Sequence, residues 1–137
     1  MQLFELRLKI GSNQTDAVGK FWMQINESAG QNWRTQCVIS FTSGANPQLK
    51  CDVQGGEYNT NFVALKYDTW YNIRMALDPS SMEFSYSLDG QQIGNVVPPR
   101  SNTLLAFTPG IGIANQGKGA LNIVYIDYAR ISPLRVF

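Results

Sequence analysis

Apolar and polar residues alternate most regularly over residues 70–94, WYNIRMALDPSSMEFSYSLDGQQIG. Tyr71, Ile73, Met75 and Leu77 share one parity, and after Asp78-Pro79-Ser80-Ser81 the run resumes with Met82, Phe84, Tyr86 and Leu88. Period two sends alternate side chains to opposite faces, so the stretch predicts two antiparallel strands with one apolar side. Folded about that turn, Leu77 faces Met82, Met75 faces Phe84, Ile73 faces Tyr86 and Tyr71 faces Leu88. Cross-strand pairs of this kind stabilise a sheet by roughly 0.2–1 kcal/mol each. Asp89-Gly90 then supplies residues that tolerate the positive φ of a tight hairpin turn, and a third strand follows.

The rhythm recurs on either side. Phe4, Leu6, Leu8 and Ile10 alternate with Glu5, Arg7 and Lys9, a half-buried strand. Phe21, Met23 and Ile25 alternate with Trp22, Gln24 and Asn26. Residues 33–42 put Trp33, Thr35, Cys37, Ile39 and Phe41 on one side, and residues 48–53 return with Leu49, Cys51 and Val53. Short strands are expected over residues 61–67, 104–107 (an edge strand) and 111–114, the last followed by a turn at NQGKG. The run LNIVYIDYARI, residues 121–131, is apolar on both parities. It predicts a strand buried on both faces or one containing a bulge. Helical period and caps are missing throughout. About ten short strands separated by turns predict an all-β, two-sheet antiparallel sandwich over residues 1–132, with 133–137 as a tail or linker.

Pairing Phe41 with Pro47 and Ile39 with Leu49 sets Cys37 directly opposite Cys51. Directly opposed Cβ atoms lie close to disulfide range. Two readings fit: a cross-strand disulfide in an exported protein, or two buried thiols acting as small hydrophobes.

Composition narrows the function. Charged residues make up 15% of the chain, below the roughly 25% of an average globular protein, so the outer faces are neutral and polar. A net charge of +1 without a basic stripe argues against nucleic-acid binding, and no apolar run has transmembrane length, so membrane insertion is not expected. There is no histidine, which excludes Ser–His–Asp and Cys–His catalysis and His-based zinc sites; two cysteines alone cannot close a structural zinc site. Asn13-Gln14-Thr15 and Asn26-Glu27-Ser28 fit the N-glycosylation pattern.

Two segments resemble a known family. DTWYNIRMALDPSSMEFSYSLDGQQIG resembles the Trp–hairpin–DG unit of the concanavalin A-like lectin/glucanase superfamily, laminin-G-like modules included. GIGIANQGKGALNIVYIDYARI resembles the closing strands of the same superfamily, and YIDYARI is similar to the last strand of laminarinase-type glycoside hydrolases. The resemblance implies a jelly roll with one concave face, glycans held on that face or its rim loops, and in many members a structural calcium. Asp127 is the residue it offers for that calcium, helped by backbone carbonyls. The residues themselves leave open an ion pair of Asp127 with Arg130, Arg7 or Lys9, or hydrogen bonds to loop amides.

Hydrolases of this superfamily resemble one another in an E-x-D-x-x-E or E-x-D-x-E strand, whose alternate carboxylates point into a cleft. That spacing does not occur here, where Glu5, Glu27, Glu57 and Glu83 stand alone in sequence. Lyases of the superfamily generally use a histidine, which this chain lacks. The polar parity of the strands is better suited to binding. Sugars need an aromatic platform for their C–H faces and planar amide or guanidinium groups for their hydroxyls. Trp22, Arg34, Trp70, Asn72, Arg74 and Ser87 are the expected binding residues, with both tryptophans stacking; the alternative for them is a solvated face with tryptophans packed at sandwich edges. The expectation is a non-catalytic carbohydrate-binding or adhesion module of a larger exported protein, extracellular or at the cell surface, adjoining neighbouring domains. The alternatives are a protein–protein module, favoured by a blunt N-terminal strand that invites strand addition, and a glycoside hydrolase or polysaccharide lyase relative.

Overall fold

A computed structural model describes residues 2–12, 18–27, 34–41, 45–53, 58–78, 80–81, 83–97, 107–116 and 124–132. The Asn13 glycosylation pattern, residues 104–106 of the expected edge strand and the 133–137 tail lie outside them. Eleven strands are described: β1 (Gln2–Ile10), β2 (Val18–Glu27), β3 (Arg34–Phe41), β4 (Gln48–Val53), β5 (Tyr58–Asn59), β6 (Val63–Ala64), β7 (Trp70–Asp78), β8 (Glu83–Leu88), β9 (Gln91–Val96), β10 (Phe107–Gln116) and β11 (Val124–Ser132). They form the two antiparallel sheets of a jelly-roll sandwich. One is five-stranded, in the order β11-β1-β7-β8-β9. The other is six-stranded, in the order β10-β2-β3-β4-β5, with β6 also pairing β4. Among the described residues no helix is long and apolar enough to cross a membrane.

The alternating positions meet between the sheets. Phe4, Leu6, Leu8 and Ile10 of β1 and Ile73, Met75 and Leu77 of β7 pack with Phe84 and Tyr86 of β8. Facing them are Phe21, Met23, Cys37, Ile39, Phe41, Leu49 and Cys51 of the other sheet. Cys37 does pair with Cys51, and their sulfurs are joined as a disulfide, 14 residues apart in sequence. A polar contact crosses this apolar interior: the Tyr86 hydroxyl lies 2.6 Å from Thr35 Oγ1. Burial pushes the Tyr86 hydroxyl up to about 12.

Along one flank the two sheets touch. Gly94 of β9 packs against the buried Thr60, which follows β5, so closely that a Cβ at position 94 would collide with the Thr60 methyl. The opposite flank is therefore bounded by β10 and β11.

The fold corrects several expectations. The hairpin of β7 and β8 pairs Ile73 with Leu88, Met75 with Tyr86 and Leu77 with Phe84, two residues out of the expected register but on the same face. The cause is Asp78, whose Oδ1 accepts hydrogen bonds from Ser80 N (2.9 Å) and Ser80 Oγ (2.7 Å). This Asx-type turn starts the loop after Asp78, so the ladder closes at Asp78↔Glu83. The next turn is as expected, with Asp89 (φ 49°) and Gly90 (φ 83°) both left-handed.

The strand expected over 61–67 shrinks to the two-residue β6, the two-residue β5 precedes it, and β10 is longer than expected, carrying Asn115 and Gln116 in the ladder rather than in a turn. The N-terminal strand is no edge, since β1 lies between β11 and β7. Burial on both faces fails for β11, which is an edge strand with most side chains exposed. The bulge does form: the β1–β11 register slips between Arg7↔Tyr128 and Leu8↔Ile126, with Asp127 as the extra residue.

Candidate functional site

The expected binding residues divide between two faces that point away from each other. Trp70, Asn72, Arg74 and Ser87 lie in the five-stranded sheet. Trp22 and Arg34 lie in the six-stranded sheet, and the side chain of Arg34 is outside the described part. Parity along a strand separates inward from outward positions but says nothing about which sheet the strand joins, so the single face expected from sequence was a merger of two.

On the outer face of the five-stranded sheet the polar groups serve one another. The Glu5 side chain is buried, 5% exposed, and accepts from four donors. Arg74 donates to Oε2 through Nε (3.0 Å) and Nη2 (2.8 Å), and Tyr128 Oη and Arg130 Nη2 each donate to Oε1 at 2.7 Å. Burial alone would raise the Glu5 carboxyl, but the hydrogen bonds from Tyr128, Arg74 and Arg130 outweigh it and hold the group at about 2. Asn72 Oδ1 lies 3.3 Å from the same Tyr128 hydroxyl. Trp70, 38% exposed, has Lys9 Nζ 4.9 Å and Arg7 Cζ 5.5 Å from its ring centre. Lys9 Nζ also stands 4.8 Å from the Tyr125 ring centre.

Asp127 is exposed at the bulge, its Oδ2 3.2 Å from Arg7 Nε. The contact is an ion pair rather than an aligned hydrogen bond, since Arg7 Nε has no hydrogen-bond partner. Among the described residues no three His, Cys, Asp or Glu side chains cluster as a metal site. This network ties β11, β1 and β7 together. Sequence reasoning missed Glu5, Tyr128 and Arg130 as a unit because alternation does not say which strands pair, and only the β1–β11 ladder sets Arg130 opposite Glu5.

The outer face of the six-stranded sheet has a different character. Backbone register arranges its outward positions in rows across the strands. One row runs Gly110, Gln24, Gln36, Asp52 and Asn59. The next runs Gly112, Trp22, Val38 and Lys50. Trp22 is half-buried because its indole lies over Gly112; any Cβ there would occupy the space of Cζ2, Cε2 and Nε1. Gly112 is therefore the floor on which Trp22 rests. At Gly110, by contrast, a Cβ would make only ordinary contact with the Gln24 side chain, at 3.6 Å. Gln36 Nε2 donates to both Asp52 oxygens, at 3.0 and 3.3 Å. Phe62, 60% exposed, carries Lys50 Nζ 4.6 Å from its ring centre. The two rows present an aromatic and apolar line beside a line of amides. That arrangement can stack on the C–H face of a sugar while hydrogen-bonding the hydroxyls along its edge.

No protein family and no characterised protein matches the chain by sequence. Solved structures do match it. A β-glucanase of Bacillus licheniformis superposes with a TM-score of 0.57 at 14% identity, covering 96% of this chain and 66% of its own. The chain thus spans just under two thirds of that enzyme's length. At this identity the likeness establishes the fold, a concanavalin A-like jelly roll.

Proposed function

We propose that this concanavalin A-like jelly roll is a non-catalytic module of a larger exported protein, binding neutral glycans on the outer face of its six-stranded sheet. The observation that carries the reading is the Trp22–Gly112 platform beside the Gln24 and Gln36 amides. The structural neighbour is named for a glucan, which favours carbohydrate as the ligand class. The Cys37–Cys51 disulfide favours an oxidising compartment and hence export. A binding rather than hydrolytic role is supported by the sequence, which nowhere has the alternating carboxylates of an E-x-D-x-E strand.

An array of neutral polysaccharides, probed with wild type and Trp22→Ala, tests this. Wild type is expected to bind, and the variant to lose about tenfold or more in affinity. Equal binding by the two proteins would sink the reading. The calcium that the resemblance implies at Asp127 is tested separately: a calcium-dependent rise in Tm that Asp127→Asn abolishes would assign it, whereas an ion pair with Arg7 alone gives none.

A second reading has its own observation. On the flank bounded by β10 and β11, Ile111, Ile113, Ile126 and Ile131 occupy inward positions and remain exposed. An apolar seam between two sheet edges favours strand addition by a neighbouring domain or partner. Light scattering of the isolated domain discriminates, since a monodisperse monomer at high concentration argues against an adhesive flank.

A further inference from the structure

The row that carries Trp22 does not stop at Lys50. Val63 of β6 pairs with Leu49, so Phe62 falls beside Lys50, and the Lys50 ammonium over its ring shows that the two side chains share the outward face. The row therefore runs Gly112, Trp22, Val38, Lys50, Phe62, with an aromatic ring towards each end. Three strand spacings separate the two aromatic residues, about 14 Å between their backbones. A single sugar ring cannot reach across that span.

A solitary exposed apolar side chain is ordinary and needs no explanation. Phe62 differs in its support. It is more exposed than any other large apolar side chain among the described residues, yet its backbone is anchored on both sides. Before it, the buried Thr60 donates its N–H to Cys51 O at 2.8 Å and accepts from Cys51 N at 3.1 Å through Oγ1. After it, the buried Leu65 donates its N–H to Pro47 O at 2.8 Å. An exposed ring on a fixed frame loses little freedom when a ligand stacks on it.

From this geometry, and resting on the glycan reading of Trp22, we infer that the ligand is a chain of sugars laid across the strands, with Phe62 as a second stacking residue. Val38 forms the low apolar floor between the rings, and the amides of the adjoining row flank the chain. The face then recognises internal stretches of a polysaccharide rather than a terminal sugar.

NMR titration with a disaccharide and a hexasaccharide of β-glucan tests the inference. The hexasaccharide is expected to bind about tenfold or more tightly than the disaccharide. Phe62→Ala removes that advantage and leaves disaccharide binding unchanged, Phe62→Trp keeps it, and Trp22→Ala weakens both. If Trp22→Ala weakens the hexasaccharide while Phe62→Ala does not, the site at Trp22 stands and the extended row is overturned. If neither sugar binds wild type, or Trp22→Ala changes nothing, both fall together.

Discussion

Tyr86 and Thr35 meet across the sandwich, hydroxyl to hydroxyl, 2.6 Å apart and out of reach of water. Thr35 Oγ1 also donates to Asp52 O at 3.3 Å, which leaves Tyr86 as donor to Thr35. Thr35→Val strands the Tyr86 hydroxyl without a partner and should cost about 1–3 kcal/mol in denaturant titration. Burial of the Tyr86 phenol sets an alkaline limit. The phenol loses its proton near 10.0 in the unfolded chain and near 12 in the folded one. Between those values the folded state binds more protons, so stability is full below 10 and falls as pH rises towards 12. The loss reaches about 2–3 kcal/mol. Tyr86→Phe should flatten that part of the stability curve.

At the acid end Glu5 acts in the opposite sense. Its carboxyl sits at about 2 when folded against 4.5 unfolded, so its contribution is complete above pH 4.5 and is lost as pH falls towards 2. The shift caps the effect at about 3 kcal/mol, and the half-exposed Arg74 and Arg130 screen it to less. Glu5→Gln should lower stability at pH 7 by about 1–2 kcal/mol and remove most of the acid dependence, as read by urea melts at stepped pH.

Opening the Cys37–Cys51 bridge releases a loop set by a separation of 14 residues. Loop-closure entropy puts the cost at about 2–3 kcal/mol. The double variant Cys37→Ala, Cys51→Ala should melt lower than wild type and be indifferent to dithiothreitol, whereas wild type loses stability in the reductant.

Gly112 and Trp22 should behave as one unit. Gly112→Val drives the indole off β10, so glycan binding should drop as far as in Trp22→Ala, and the double variant should bind no worse than either alone. With the indole gone, valine in the strand is free of the clash. In the Trp22→Ala background Gly112→Val should therefore leave Tm unchanged or raise it.

How much of this was legible beforehand follows from what alternation encodes. It marked the inward faces of β1, β7 and β8 correctly, and it placed Cys37 opposite Cys51 because Ile39 and Leu49 fix that hairpin from both sides. It missed the β7–β8 register because a slip of two preserves every side chain's face and only the Asp78 turn decides between the alternatives. It could not tell that Trp22 and Trp70 belong to different sheets. Phe62 escaped because a two-residue strand has no period to read, and its row appears only once β6 is seen beside β4.

Strand β1 is held by β7 on one side and β11 on the other, so both of its neighbours come from distant sequence. During synthesis its four apolar residues emerge long before either mate, which leaves an oily ribbon unclaimed on the nascent polypeptide. The five-stranded sheet can therefore close only once β11 has been synthesised, and pairings of such long sequence separation make that closure slow.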